Sequence, residues 1–414
     1  MSVVEGELAA GPGAEPARGL YVHLPFCVSI CPYCDFVVYA GADARGTRNR
    51  IDLLVNALIV EIGLRAAAGG ADPLAHPLST VYLGGGTPSL IPVAALERIL
   101  DSVRTAFGIA VGAEITLEAN PGPDERGNPA AQAAAGITRL SLGAQSFSTS
   151  ELKRLGRRHS ASDIGVALIA AREAGIRSIN LDLLYDVPGQ TLSSWADGLE
   201  RAVALGPEHL SLYALTLDDP EAEGLTGPEG DHLPPTIGAR RWRDKARPEQ
   251  DDDRAAAMYH LASHRLREAG FTGYELANWA KPGHESRHNM GYWERRSIAA
   301  VGPGAHSFDG RVRRWNAARL DAYVAALLPA DGSPPRLPPG GQETLDDAAA
   351  AAESLILGLR LDRGVALTAL LEPSFVDAFD WAVSAGLLEE TDDARVHLTT
   401  RGRLLSNELF ARLI

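Results

Sequence analysis

The sequence predicts an α/β fold built on a parallel sheet, followed by a smaller C-terminal α+β module. Three observations carry that reading. From Gly19 onward, short apolar runs alternate with amphipathic helical stretches, the pattern of repeated βα units. Glycines and isolated polar residues fall where the apolar runs end, which is where parallel α/β folds gather ligand groups. A Pro/Gly-rich stretch at 329–341 then breaks the pattern, and helices with a small hairpin follow it.

Taken in order, residues 1–18 are acidic and Gly/Pro-rich, without the apolar segment of a signal peptide, and read as a disordered leader. A core at 19–218 carries strands expected near 19–24, 79–84, 113–119, 138–143, 177–184 and 209–216. Helices are expected near 48–66, 93–106, 129–135, 161–174 and 191–204, with Gly175 and Gly206 at helix ends. Six such units suit either a doubly wound sheet or a partial barrel, and periodicity does not separate the two. Residues 219–253 mix Pro, Gly and both charges without period and read as a flexible, charged insertion, a solvated loop or a lid. An extension at 254–328 opens with a helix to Ala269 and a strand near 274–279. After the 329–341 linker, a domain at 342–414 shows helices near 344–358, 366–371 and 374–384, strands around 387–389 and 396–398, and a final helix. That order is winged-helix-like. Glu389, Glu390, Asp392 and Asp393 crowd its wing, which suits a packing or partner module better than a DNA reader.

The net charge of −14 argues against a general nucleic-acid binder, whose footprint is a basic stripe. No uncharged apolar run approaches the ~18 residues of a spanning helix. A cytoplasmic setting is expected, where thiols stay reduced.

All three cysteines, Cys27, Cys31 and Cys34, fall in the stretch YVHLPFCVSICPYCDF from Tyr21 to Phe36, spaced C-x-x-x-C-x-x-C. A disulfide would leave one thiol over, and a closed zinc site needs four ligands. Three thiolates suit three irons of a 4Fe–4S cluster, with the fourth iron open for chemistry. The plain alternative, three buried apolar cysteines, fits poorly with their tight grouping. The second strand ends in Gly84-Gly85-Gly86-Thr87-Pro88, a run that lets backbone approach a ligand and that lacks the Lys-Ser/Thr of a P-loop. The third ends in Leu117-Glu118-Ala119-Asn120-Pro121-Gly122, where Glu118 on its residue chemistry is a surface carboxylate or an N-cap neighbour. The fourth places the amide of Gln145 at its tip, with Arg157 and Arg158 beyond it. The fifth carries Asp182 inside an apolar run, where a charge has to be paired or functional.

With these residues in chain order, the sequence resembles the radical S-adenosylmethionine superfamily. The flanks Tyr21–Cys27 and Cys31-Pro32-Tyr33-Cys34 resemble the branch that holds oxygen-independent coproporphyrinogen III dehydrogenases and HemW heme chaperones. The resemblance implies a partial (β/α)6 barrel with a C-terminal winged-helix-like domain, and a cluster on Cys27, Cys31 and Cys34. It further implies that Gly85, Gly86 and Thr87 hold the amino group of S-adenosylmethionine and that Arg157 serves its carboxylate end. Glu118, Gln145 and Asp182 would line the cofactor cleft, Ala214 would meet adenine through its backbone, and Tyr21 and Tyr33 would stand beside it.

Three features favour the chaperone side of that branch. Phe36 stands where the dehydrogenases have a further cysteine, the segment ahead of Cys27 is short, and 288–293 reads H-N-x-x-Y-W. Residue chemistry alone favours a turn at Asn289 and core aromatics at Tyr292 and Trp293; the resemblance makes His288 a candidate heme ligand instead, with His23, His209, His284 and His306 as competitors. With all three thiols on the cluster, no cysteine thioether to heme can form. The resemblance implies heme delivery to an acceptor hemoprotein, with a respiratory, membrane-associated one among the candidates, and an electron donor of flavodoxin or ferredoxin type. The rival is radical decarboxylation of coproporphyrinogen III. A third reading is a redox-gated binding module in which S-adenosylmethionine only caps the cluster.

Overall fold

Six strands in consecutive, parallel order form the centre of the sheet: β1 (Gly19–Leu24), β2 (Leu78–Gly85), β3 (Ile109–Ala119), β4 (Arg139–Gln145), β5 (Ser178–Tyr185) and β6 (His209–Ala214). The computed structural model describes residues 15–43 and 50–414. The expected leader as far as residue 14, and residues 48–49 of the first expected helix, lie outside the described residues. Residues 15–18, read as the end of that leader, are tied down: Glu15 N–H donates to Asp309 O at 3.1 Å and Arg18 N–H to Ser297 O at 2.8 Å.

The strand order decides between the two sheet topologies. A doubly wound sheet reverses its order at a switch point, whereas here every crossover steps to the next position in one direction, as in a barrel. The sheet does not close. The free edge of β1 pairs in parallel with a later strand at Ile298–Val301, and that of β6 pairs antiparallel with one at Asn278–Ala280. The fold is therefore a partial (β/α)6 barrel. Side chains alternate along the central strands: Leu20, Val22 and Leu24 of β1 and Val81 and Leu83 of β2 make one fully buried apolar face, while Tyr21, His23, Thr80 and Tyr82 take the other. The helices between the strands are α1 (Ile51–Ala68), α2 (Val93–Ala106), α3 (Pro129–Ala135), α4 (Thr149–Arg154), α5 (Ala161–Glu173) and α6 (Leu192–Ala204). In α2, Leu96, Ile99, Leu100 and Val103 form the buried stripe.

Several expected elements differ. α4 was not anticipated; Ser148 caps it by accepting the N–H of Glu151. β3 starts four residues earlier than expected, past an irregularity opposite Leu78 and Thr80. Residues 274–279 do not form one strand. Thr272–Gly273 and Asn278–Ala280 pair across a turn that Glu275 closes by accepting the N–H of Ala277. Nor is 219–253 irregular throughout: it contains α7 (Ile237–Ala246), and α8 (Asp252–Glu268) begins at its end. Gly340 and Gly341, read as linker, are strand residues packed under Trp315, where a Cβ on Gly341 would lie 2.2 Å from the indole.

The C-terminal part has its own core, including Leu355, Leu370, Phe379, Val396 and Leu409, around a three-stranded antiparallel sheet. Its last helical stretch is split into Thr400–Leu404 and Ser406–Leu413. It packs on the barrel: Asp362 N–H donates to Tyr274 O at 3.0 Å, and the Arg360 guanidinium lies 4.6 Å from the Trp293 ring centre.

A buried carboxylate joins α1 to the added strands. Glu61, with no exposed surface, accepts from Gly302 N–H (2.8 Å), Asn316 Nδ2 (2.8 Å), Arg65 Nε (3.2 Å) and the Tyr323 hydroxyl (2.5 Å). Glu61→Ala removes the acceptor shared by all four donors, of which Asn316 Nδ2 keeps a second partner in Gly302 O, and urea denaturation should show a loss of about 3–5 kcal/mol. Tyr323→Phe, which removes one donor and leaves the carboxylate satisfied, should cost about 1–2 kcal/mol. Equal losses in the two variants would contradict this accounting.

Candidate functional site

The carboxyl ends of β1 to β6 open into one cavity of about 1170 Å³. The cysteine loop enters it directly from β1. Its base is pinned by two backbone bonds, Cys27 N–H to Tyr39 O (2.9 Å) and Tyr39 N–H to Pro25 O (2.7 Å), and Cys34 N–H turns back onto Cys31 O (3.1 Å). Cys27, Cys31 and Cys34 all line the cavity, together with Tyr33. Burial pushes the Cys27 thiol up to about 12, against the lowering effect of the Thr87 hydroxyl, and pushes Cys34 up as well. Both therefore stay protonated at neutral pH until a metal displaces the proton.

The glycine turn packs on this loop. Gly86 N–H donates to Leu24 O at 3.0 Å and Thr87 N–H to Phe26 O at 2.8 Å. There is no room for side chains: a Cβ on Gly86 would lie 2.7 Å from the carbonyl carbon of Pro25, and one on Gly85, where φ is +108°, 2.3 Å from the His23 ring. The Thr87 hydroxyl reaches Cys27 Sγ at 3.5 Å.

Glu118 accepts from the Tyr82 hydroxyl and from Gly85 N–H, both at 2.8 Å. Burial raises its carboxyl to about 7, although those two hydrogen bonds pull the other way. Gln145 sits at the tip of β4 with φ of +63°, a left-handed conformation unusual for a residue with a side chain. Asp182 accepts from Asn180 Nδ2 (2.7 Å) and Ser141 Oγ (3.1 Å), so this carboxylate in an apolar strand is paired; burial raises its pKa, and the hydrogen bonds pull the other way. Ala214 closes the far wall at the end of β6.

Arg157 rather than Arg158 faces the cavity. Its guanidinium donates to Cys31 Sγ (3.5 Å), Gly143 O (2.8 Å) and Asn120 Oδ1, while its Nε is buried without a partner. Asn120 in turn donates to Thr87 Oγ1 at 3.1 Å, which links the cation to the glycine turn.

Two expected site residues lie elsewhere. Tyr21 does not line the cavity; its hydroxyl meets His23 Nδ1 at 3.0 Å and its ring stacks on Tyr82, with centroids 6.1 Å apart. The expectation that His288 is an open heme ligand is corrected. His288 is 1% exposed, its Nδ1 is 2.9 Å from Thr80 Oγ1, its Nε2 is 3.2 Å from the Tyr292 hydroxyl, and its ring stacks on Tyr82. Burial lowers its pKa to about 3. Both ring nitrogens are in use.

Sequence reasoning missed three residues. Asn120 lay inside the quoted Leu117–Gly122 motif, and its position two residues past Glu118 was the available signal. Tyr82 was hidden in an apolar strand. Arg243 gave no signal in the charged run of α7. It is 4% exposed and donates to the carbonyls of Pro32 (3.2 Å), Cys34 (2.9 Å) and Asp218 (2.5 Å).

The donor set fits a multi-iron cluster. Three thiols face one cavity, yet among the described residues no group of three or more His, Cys, Asp and Glu converges on a single-ion site. A cluster binds each thiolate through a different iron, so its ligands stand apart. The unpartnered Arg157 Nε and the cradle at Gly86 are places for a polar ligand beside it.

A partial barrel with three cysteines on the loop after its first strand defines a radical-S-adenosylmethionine-type protein. The Radical SAM superfamily matches residues 21–202. Over 407 residues the chain is 37% identical to the heme chaperone HemW of Mycobacterium tuberculosis, covering 97% of each chain. It is 36% identical to Escherichia coli HemW over 308 residues, covering 73% of this chain and 74% of that one. Among solved structures, coproporphyrinogen III oxidase (HemN) of Escherichia coli superposes with a TM-score of 0.79 at 22% identity, over 97% of this chain and 91% of that one. The chain belongs to the HemW family.

Two measurements test this geometry. Because the Glu118 carboxyl titrates near 7 when folded and near 4.5 otherwise, the folded state holds a proton that the unfolded chain has released. Stability of the ligand-free protein should therefore fall as pH rises from about 4.5 to 7, by at most ~3 kcal/mol. Glu118→Gln should flatten that slope, and an unchanged slope in thermal melts would reject the assignment. Arg243→Met should leave the fold intact but weaken iron retention about tenfold in a chelator competition, as loss of a supporting shell does. Equal retention would show the brace to be idle.

Proposed function

We propose that this chain is a heme chaperone that holds a 4Fe–4S cluster, S-adenosylmethionine and heme, and passes heme to an acceptor hemoprotein. The observation that carries this reading over the dehydrogenase one is Phe36: 97% of the chain aligns with a HemW protein, and the residue two past Cys34 offers no thiol.

In this reading Cys27, Cys31 and Cys34 ligate the cluster. When bound, such a cluster supplies an electron and one iron open to the methionine moiety. The chain's own residues orient and insulate. Gly85, Gly86 and Thr87 present backbone to the amino end, and Arg157 offers its free Nε to the carboxylate end. Glu118 and Asp182 supply acceptors, Gln145 an amide, and Ala214 a backbone edge for adenine. Arg157 also places a positive charge 3.5 Å from Cys31 Sγ, beside the negatively charged cluster these thiols would hold. Tyr33 walls the cavity on the cysteine side.

The acceptor we infer is a hemoprotein, with a membrane-associated respiratory one as the first candidate, and the electron donor a flavodoxin- or ferredoxin-type protein. Among the described residues no helix is long and apolar enough to cross a membrane. A cytoplasmic setting is inferred from three thiols that have to stay reduced.

One experiment separates the readings. The protein is reconstituted anaerobically, then titrated with hemin, and in parallel given coproporphyrinogen III with S-adenosylmethionine and reductant. Saturable hemin binding without tetrapyrrole turnover is expected. Catalytic formation of protoporphyrinogen would overturn the chaperone reading in favour of the dehydrogenase.

A further inference from the structure

With His288 closed off, the iron ligand has to be sought among the other histidines. His23 and His209 are buried with both ring nitrogens bonded. His159 is buried against Ala144 O. His284 Nδ1 meets Ser178 Oγ at 3.3 Å, and the exposed His264 and half-buried His397 pair with glutamates. One cluster differs from these.

Asp231, in the segment after β6, is largely buried and accepts from two histidines. His232 Nδ1 stands 2.9 Å from Oδ1, and His306 Nε2 2.8 Å from Oδ2. Burial opposes ionisation of Asp231, but the two imidazoles hold its carboxyl well below the usual range. The assembly is firmly backed. His306 stacks on Trp315 (6.0 Å, 22°), the Trp315 indole donates to Glu229 O (3.3 Å), and His232 N–H donates to Leu225 O (3.2 Å). It also abuts the end of the cysteine loop: a Cβ on Gly304 would lie 2.6 Å from Val37 Cγ2 and 3.0 Å from Asp231 O, and the Asp35 charge acts on His232. Phe36, between Asp35 and Val37, is 63% exposed.

A carboxylate on Nδ1 fixes an imidazole's tautomer and leaves Nε2 as the lone-pair nitrogen, the arrangement found behind metal-bound histidines. Among the described residues His232 Nε2 has no hydrogen-bond partner, and the side chain is partly exposed; in any histidine ring Nε2 is the nitrogen farther from Cβ. In His306 the carboxylate takes Nε2 and leaves only Nδ1, which is crowded by its own Cβ. Because no three ligating side chains converge here among the described residues, a bare cation finds no chelate. An iron that arrives with four porphyrin nitrogens needs only one more.

We propose that His232, oriented by Asp231, is the axial ligand to heme iron in this chain, on the outer side of the cysteine loop. The proposal rests on the heme-chaperone reading and names its ligand.

The test uses the full chain with its cluster reconstituted, titrated with hemin and followed by Soret absorption and electron paramagnetic resonance. Wild type should show a histidine-ligated spectrum. His232→Ala should lose that signature and at least tenfold in hemin affinity while keeping its iron–sulfur absorbance, and free imidazole should restore the signature. Asp231→Asn should keep ligation but raise the heme midpoint potential, since the imidazole loses a strong acceptor. His306→Ala and His288→Asn should retain the histidine signature. A His232→Ala spectrum identical to wild type would overturn the ligand assignment and leave the chaperone reading standing. Failure of the wild-type protein to bind hemin would overturn both.

Discussion

The site depends on a contact that leaves no space for a side chain. Where β1 ends, it is flanked by glycines on both sides, Gly85 and Gly86 where β2 ends and Gly302 after the parallel edge strand. A Cβ on Gly302 would lie 2.6 Å from His23 O, as close as those on the β2 side. The cysteine loop is thus launched from a fixed point, and Gly86 and Thr87 use their N–H groups to hold its first carbonyls. From that contact the rest follows in a chain: Thr87 reaches Cys27, Asn120 reaches Thr87, and Arg157 reaches Asn120 and Cys31. Displacing the turn by one methyl group would move every member of it.

Two guanidiniums flank the same loop and act differently. Arg157 lies on the cavity side and touches sulfur, so its charge bears on Cys31 Sγ directly. Arg243 lies behind the loop and binds only carbonyls, so it fixes the Cys31–Cys34 turn through backbone while adding positive potential. Burial is the largest effect raising the Cys27 and Cys34 thiols, and Arg157 opposes it at Cys27, which suits a loop built to carry a negatively charged cluster. The segment that supplies Arg243 departs from βα periodicity because it braces the loop and forms no strand.

The core barrel was legible because its signals are local and repeated. Apolar runs gave the six strands to within a few residues, and the helices at Val93–Ala106 and Pro129–Ala135 came out at their full extent. α4 was legible too but overlooked: Ser148-Thr149-Ser150-Glu151 has the Ser-x-x-Glu spacing of a helix start. The cavity was readable because strand ends converge in any parallel barrel, so Glu118, Gln145, Asp182 and Ala214 could be placed without coordinates. Arg243 and the Asp231 cluster were not readable. Each depends on a long-range approach, Arg243 to Pro32 and Asp231 to His306, that no period or spacing encodes.

His288 shows how a resemblance can outrun residue chemistry, which favours a turn and core aromatics for this motif. An imidazole next to aromatics suggests a heme ligand, but burial and two engaged nitrogens make this one a pillar. Its ring joins a column that runs from Tyr292 (5.1 Å) through Tyr82 (5.2 Å) to Tyr21 (6.1 Å). Tyr82 is the residue whose hydroxyl holds Glu118 at the cavity floor. At the other end of the motif, Trp293 lies under Arg360 of the C-terminal part. The H-N-x-x-Y-W stretch therefore couples the docking of that part to the carboxylate nearest the glycine turn. Its histidine serves the cofactor site at one remove, through the tyrosine it stacks on, and that role needs a neutral, immobile ring rather than a free nitrogen.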